Sequence, residues 1–464
     1  MAISSPGIGT GLDVQSIVSQ LVAIERKPLE TLQTQATSLK TQLSTYGTIK
    51  SQFAALGDAA AKLSTTSGWG LFTASSSDNT SISVTAGTGA TGGSFTMEVQ
   101  QLARAQSTAS TPVTTGSTVG TGTLSIEIGS WSGTAFTSNG KAAVPVSVSA
   151  TDTLSSIATK INQAGAGVTA TVLRDASGER LLMRSSETGE TQAFRVQASG
   201  DAGVQALGYD PGGTGGATLT QAAQNALAKV NGVDIVSASN KLSDTLTGLN
   251  ITLNQTTLAP VEINVVPDTE ALKKQMQAFV DAYNTLNDTL SNAVKYDDAT
   301  KTAGPLQGDS TTVGLQNALR AMMRSVSGTT PFSRLLDVGI STQQTGGKLT
   351  LDTKKFDEVM AKDLQGVQRL FTATNTDATL RGFGLKVKAF TDGMLATDGK
   401  ITSRTEAIQK QQTRNTQEQD RINERADRAQ TRLLAQFSAL DTTVAQYNTL
   451  GSFVSQQLSL WSAG

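Results

Sequence analysis

Three short stretches carry residue types that could do chemistry. Gly308-Asp309-Ser310 resembles the surroundings of a hydrolase nucleophile. Gly7-Ile8-Gly9-Thr10-Gly11 has the glycine spacing that opens a phosphate-cradling loop. Asp297-Asp298, and the set Asp352, Asp357 and Glu358, offer carboxylates for acid–base work or for an oxygen-ligated Mg2+ or Ca2+ site. Each fails on what surrounds it. The chain contains no His and no Cys. Ser310 therefore has no imidazole base, and Ser-His-Asp and Cys-His machinery, the usual zinc sites, thiolate iron–sulfur ligation and disulfides are excluded. The glycine loop follows no strand and no Lys-Ser/Thr pair follows it, so it reads as a flexible lead-in to a helix. Asp309-Ser310 reads as a helix opening, its carboxylate at the positive end of the dipole. Asp352 reads as an N-cap and Asp297-Asp298 as a loop between helices. No catalytic, cofactor-binding or metal residue is assigned and no cofactor is expected. The chain reads as a non-enzyme.

The composition agrees with a binding or structural role. At about 150 residues per domain, 464 residues make roughly three domains. Formal net charge is -1, from 37 basic and 38 acidic side chains, so no field points to nucleic acid or an anionic membrane. Charged residues are only 16% and aromatics 5%, while Gly reaches 44. Few large side chains among many small hydroxyl residues point to β-rich modules that pack against copies of themselves. No apolar run approaches the roughly 20 residues of a spanning helix, so no membrane insertion is expected. Met1-Ala2-Ile3-Ser4-Ser5-Pro6-Gly7 lacks the basic and apolar regions of a cleavable secretory signal, which taken alone reads as cytoplasmic.

The elements that would position any working residue fall into a helix, β, helix order. From Leu29 the apolar residues Leu32, Ala36, Leu39, Leu43, Tyr46, Ile49, Phe53, Leu56, Ala60 and Leu63 recur every three or four positions, the period of a helix with one apolar stripe. A shorter helix precedes it, capped by Thr10 with Asp13 three positions on, and Pro28 divides the two. Near the other end Ile422, Ala426, Ala429, Leu433, Phe437, Leu440, Val444, Tyr447, Val454, Leu458 and Trp461 mark a second long stripe. Arg421, Arg425, Arg428 and Arg432 share one face of it and read as a solvated coiled-coil flank, with Glu424 placed to pair with Arg428.

Between the ends the period becomes two, as in Phe95-Thr96-Met97-Glu98-Val99, Leu124-Ser125-Ile126-Glu127-Ile128 and Val261-Glu262-Ile263-Asn264-Val265. One helix over 153–163 interrupts these strands. The stretch from Gly208 to Gly216 reads as a loop or hinge between strand-rich modules. Helical period returns after Pro267, with Asp268 as N-cap, and further helices are predicted over 313–326 and 353–371, with a hairpin at Gly346-Gly347.

The terminal stripes are the candidate interface: Leu12, Ile17, Leu21, Ile24, Leu32 and Leu39 from one end, with Leu433, Phe437, Leu440, Val444, Tyr447, Val454 and Leu458 from the other. An isolated apolar-striped tail does not recover its ordering entropy. It is expected to fold only against other helices, from its own chain or a neighbour.

Several ordered motifs then resemble one family. Gly7-Ile8-Gly9-Thr10-Gly11-Leu12-Asp13 with Glu25-Arg26-Lys27-Pro28-Leu29, the segment from Asp152-Thr153-Leu154 to Leu181-Leu182, and Phe279-Val280-Asp281-Ala282-Tyr283-Asn284 are similar to the flagellar hook-associated protein 2 family. So are Pro305-Leu306-Gln307-Gly308-Asp309-Ser310, Gly347-Lys348-Leu349-Thr350-Leu351-Asp352 and Val367-Gln368-Arg369-Leu370-Phe371. The resemblance spans nearly the whole chain, with the insert segment similar to a flagellin-type module.

That resemblance implies a cap at the distal filament tip, a ring of identical subunits (pentamer or hexamer) that promotes folding and insertion of exported flagellin. It implies an extracellular, secreted location reached by flagellar type III export, which replaces the cytoplasmic reading. It also implies hook–filament junction proteins and an export chaperone as partners, the chaperone on Leu433 to Leu458, and in some members adhesion to mucin or host surfaces. The fold class expected is α+β multidomain. A coiled-coil-like stem of paired N- and C-terminal helices (1–43 with 416–464) joins a mixed helix/strand leg domain (44–71 with 269–415). Two inserted, mostly antiparallel β head domains follow, the inner over 72–106 with 219–268 and the outer over 107–218. Rival readings are a hook–filament junction or flagellin-like subunit, and a surface adhesin or carboxylate-dependent glycosidase in the head.

Overall fold

The computed structural model describes residues 13–213, 215–243 and 245–462, with side chains to 459. Helices α1 (Val14–Arg26), α2 (Pro28–Ser64) and the one-turn α3 (Thr66–Trp69) open the chain. Helix α4 (Leu154–Ala164) and the short α5 (Ala202–Gln205) lie among strands. Helices α6 (Thr269–Val294), α7 (Ser310–Met323), α8 (Thr353–Thr372), α9 (Phe383–Leu395) and α10 (Lys400–Ser462) follow. The chain forms two compact units, one from the described residues up to Trp69 together with those from Lys273 onward, the other Gly70–Leu272. The fold is α+β with antiparallel sheets and a very long C-terminal helix.

The first unit is helical. The α2 stripe read from sequence is buried from Tyr46 through Ile49, Phe53, Leu56 and Ala60 to Leu63. Helix α9 packs against it closely, because small residues face the crossing. A Cβ on Gly57 would lie 2.7 Å from Thr391 Oγ1, and one on Gly384 would lie 2.8 Å from the Ser64 backbone N. Phe371 of α8 is the aromatic hub, with ring centroids 5.5 Å from Trp69, 6.5 Å from Phe279 and 6.5 Å from Phe383. The predicted hairpin pairs Ile340–Thr342 with Leu349–Leu351. Tyr283 Oη donates to Gly347 O at 2.9 Å, and Asn284 both donates to and accepts from the Leu349 backbone, which fastens the hairpin to α6.

Helix starts obey local capping. Asp352 Oδ1 accepts from Lys355 N at 3.0 Å, and Asp268 Oδ1 from Ala271 N at 2.8 Å. The first helix departs from expectation. Thr10 lies outside the described residues, and α1 begins at Val14 with Asp13 as its N-cap, accepting from Ser16 N at 3.0 Å. A carboxylate one residue before the helix takes the role assigned to the threonine. Pro28 does divide α1 from α2, sitting at the first turn of α2. Helix α7 starts three residues before the predicted 313, because Asp309 supplies the cap.

The second unit holds two cores. Five strands in the order Phe72–Ser76, Val261–Pro267, Gly93–Gln101, Ala226–Val230, Val233–Ser237 cover one, together with a three-stranded sheet containing Ile82–Ala86. Ile82, Met97, Val99, Ile251 and Ile263 fill it. In the other core α4 buries Leu154, Ile157 and Ile161 with Leu124, Ile126, Phe194 and Val196. Gly122–Ser132 pairs with Ala193–Gly200 along one edge and with Val144–Val148 along the other, so Pro145 sits on an edge strand, where its missing N–H costs no ladder bond.

Over its described residues the glycine-rich stretch after Gly208 is a loop, tied down at its start. Tyr209 pairs with Val196 by two backbone hydrogen bonds of 2.9 Å and stacks edge-on to Trp131 at 5.7 Å, inside the second core. Glycine content points to a loop, and one buried tyrosine fixes where it begins.

Candidate interface of the terminal helices

Helix α10 runs antiparallel to α2 and then α1. Asn415 meets Leu32 and Gln35, Arg425 meets Glu25 at 3.0 Å, and Asp427 meets Arg26 at 2.7 Å. Val14, Val18 and Val22 are buried with Ala426, and Leu433, Leu434 and Phe437 pack around them. On α10 one small residue, Ala426, lies in the cluster, and Leu433, Leu434 and Phe437 close over the valines.

The candidate interface residues therefore divide. Leu39 is buried, while Ile17, Leu32, Leu433 and Phe437 are half-buried. Leu21 and Ile24 face away from α10, with Ile24 67% exposed. Val14, Val18 and Val22 do the pairing within the chain, a rival stripe with the same helical spacing. Leu12 lies outside the described residues, as does the Trp461 side chain.

Among the described residues the in-chain partner ends past Phe437. Val444 is half-buried, and Leu440, Tyr447, Val454 and Leu458 are exposed, Tyr447 by 68% and Leu458 by 61%. Phe437, Leu440, Val444, Tyr447, Gly451, Val454 and Leu458 are spaced alternately three and four residues apart, the 3.5-residue repeat of a coiled-coil seam. Single exposed leucines are ordinary, but a row along one helix face is not. Amide exchange on the monomer is expected to be fast over 438–459 and slow over 46–63, and protection of both stretches alike would contradict an uncovered seam. The arginine face is solvated, as expected. Arg421 pairs with Glu418 at 2.8 Å and Arg428 with Glu424 at 3.8 Å, all on the exposed flank.

The hydrolase-like Asp309 anchors α10. Its Oδ1 accepts from Thr312 N at 3.0 Å and from Tyr46 Oη at 2.9 Å, and its Oδ2 from Arg404 Nε at 2.8 Å. One carboxylate thus joins α7, α2 and α10. Burial pushes the Asp309 carboxyl up, but Thr312 N–H, the Arg404 guanidinium and the Tyr46 hydroxyl outweigh it and hold the group below the usual carboxylate range. Burial chiefly, with Asp309 beside it, pushes the Tyr46 phenol up to about 12. Asp297 accepts from Ala299 and Thr300 N–H in a two-strand turn, and Asp352 caps α8, so neither pairs into an acid–base site. Among the described residues no helix is long and apolar enough to cross a membrane.

Known proteins match this arrangement along its length. "Flagellar hook-associated protein 2 C-terminus" matches residues 223–449, "Flagellar hook-associated protein 2 N-terminus" residues 10–106, and "Flagellin hook IN motif" residues 123–187. Flagellar hook-associated protein 2 of Escherichia coli strain K12 is 32% identical, the match covering 98% of each chain. The B-type flagellar hook-associated protein 2 of Pseudomonas aeruginosa is 29% identical over 95% of this chain and 94% of its own. Among solved structures, the D1-D2-D3 domains of the flagellar cap protein FliD from Escherichia coli superpose with a TM-score of 0.63 at 30% identity, covering 79% of this chain and 99% of that one. A sequence with helices toward both ends and antiparallel strands between them, matched over 98% of its length by a relative 32% identical, places this chain in the flagellar hook-associated protein 2 family, the flagellar cap proteins.

Proposed function

We propose that this chain works at the distal filament tip as a ring of identical subunits, promoting the folding and insertion of exported flagellin. The observation that carries the reading is the uncovered seam of α10 from Leu440 to Leu458. A heptad face left bare in the monomer supports a partner that comes and goes, which suits contacts with successive flagellin subunits and with neighbouring copies. The work is done by confinement and by interface geometry. No covalent step is invoked: Ser310 opens a helix, and Asp309 is occupied by Tyr46, Thr312 and Arg404.

The two cores of the second unit support an inner head over 72–106 with 219–268 and an outer head over 107–218, with a leg over 44–71 and 269–415 and a stem over 1–43 and 416–464. The export chaperone is assigned to the same Leu433 to Leu458 face, so that one apolar surface is shielded before export and used after it. Hook–filament junction proteins are the further contacts at assembly.

Deletion of the gene tests the reading. Expected are hooks without filaments and unpolymerised flagellin in the medium, restored by the intact chain. Normal-length filaments in the deletion strain would overturn it in favour of a flagellin-like or purely adhesive role.

A further inference from the structure

We infer that the helical unit carries a docking site separate from the α10 seam: an apolar pocket beside α9, with two cations in its wall, that takes an extended polypeptide segment presenting an aliphatic side chain and a carboxylate on one face. Helix α9 buries Phe383, Gly384, Val387 and Thr391. The helical period then turns Leu385 and Ala389, one turn apart, to its other side. There they meet Met322 near the end of α7 and Ala378 of the single turn Ala378–Leu380, around a cavity of about 310 Å3. The two alanines are too small to fill it.

Arg381 and Lys386 line the same cavity. Lys386 Nζ donates to Ser325 Oγ at 2.9 Å and to Val326 O at 2.7 Å, which leaves one ammonium N–H to spare. Arg381 Nε donates to Asn375 O at 2.9 Å, and its terminal nitrogens meet no acceptor among the described residues. Asp377 is close enough to act on both cations. Its carboxylate is already held by Thr379, which donates from N at 2.8 Å and from Oγ1 at 2.7 Å. Burial pushes the Lys386 ammonium down, and Asp377 offsets this only in part. A carboxylate on the spare N–H donors of Lys386 and Arg381 makes charge-assisted bonds that the chain itself leaves unmade.

The apolar surface does not end at the cavity. Val326 and Leu380 directly follow the lining residues Ser325 and Thr379, and they are exposed by 43% and 37%. A ligand the size of the cavity leaves both in water, whereas a chain laid across it covers them. Pocket, cations and flanking side chains together fit a polypeptide with one anchor in the cavity and one acid on its wall.

Methionine provides the reporter. The chain has 8 methionines, and isotopic labelling of their methyl groups, with Met322→Leu to identify its signal, lets magnetic resonance watch the pocket in the full chain. The probe is a short acetylated and amidated peptide with a leucine and a glutamate two residues apart among serines, the spacing that puts both on one face of an extended segment. It should shift the Met322 signal saturably. Replacing its glutamate by lysine, or its leucine by serine, should weaken binding by about tenfold or more. Arg381→Gln with Lys386→Gln should do the same from the protein's side. Ala389→Phe keeps both cations and fills the cavity from an exposed position. It should abolish the shift at an unchanged melting midpoint, which covers the case in which losing the Lys386 bonds disturbs the fold. Equal shifts from all three peptides, or no shift from any, would overturn the proposal. So would octanoate binding as tightly as the peptide, which would make the pocket a site for a small amphiphile. A changed subunit number in Ala389→Phe would overturn it too, by making a second copy the occupant. None of these readouts involves flagellin, so this site can fail while the cap reading stands, and the reverse.

Discussion

Asp309→Ala should destabilise the helical unit by about 3 kcal/mol, read as a lower urea midpoint of the helical circular-dichroism signal. Removing one partner of a buried pair costs about 3–5 kcal/mol. The low end applies because Arg404 keeps 32% of its side chain in water while Asp309 keeps 5%. The same change deletes the α7 cap and leaves the Tyr46 hydroxyl without its carboxylate. Asp309→Asn keeps an acceptor for Thr312 N and should lose less.

Both ends of the pH range should show the cluster. The folded-state value of Asp309 is lowered, so its contribution is complete above the unfolded carboxyl value of about 3.9 and is lost as pH falls through the folded value. Tyr46 is raised to about 12, so its contribution is complete below the unfolded phenol value and is lost as pH rises toward 12. Asp309→Asn should flatten the acid limb, and Tyr46→Phe the alkaline one. Unchanged limbs in these variants would mean that the cluster does not anchor α10.

Much of this architecture is legible in the sequence because its signals are local. The α2 stripe from Tyr46 to Leu63 shows the helical period directly, and Asp352 marks a cap by its position before an apolar run. The alternation in Gly93–Gln101 marks a strand with one buried face. The partners of Asp309 are a different matter. Tyr46 is 263 residues away and Arg404 is 95, so no spacing rule could join them. The sequence shows Asp309 as a cap, and only the fold makes it an anchor.

The α1 face was ambiguous for another reason. Ile17, Leu21 and Ile24 form a stripe as regular as Val14, Val18 and Val22, and hydrophobicity favours the larger residues. What chooses between them is which stripe meets Ala426, Leu433, Leu434 and Phe437 of α10, a tertiary fact. Asn415 was hidden in the same way. A pattern of apolar positions passes over a polar residue even where that residue occupies the seam. In the glycine-rich stretch after Gly208 composition reports the loop, and the anchor of Tyr209 on Trp131 is a distant contact that it cannot report.

Charging the free end of α10 should abolish function while sparing the fold. Leu440 and Val454 are about half exposed in the monomer, so Leu440→Lys and Val454→Lys together remove few native contacts. Exposed substitutions of this kind usually change stability by only about 0.5 kcal/mol. In an assembled seam the same positions are covered. Each apolar side chain then forfeits about 2 kcal/mol of burial, and the pair should weaken association by roughly a thousandfold at about 1.4 kcal/mol per decade. The readouts are subunit number in solution, by light scattering, and flagellin lost to the medium from cells carrying the variant. A matched control, Thr442→Lys with Gln456→Lys, adds the same charge to α10 at exposed positions on the face opposite the seam and should assemble normally. If both double variants assemble and swim alike, the seam is not an interface. If both fail alike, the cause is added charge rather than the loss of an apolar face. Only failure of the seam variant with survival of the control ties the uncovered heptads to assembly.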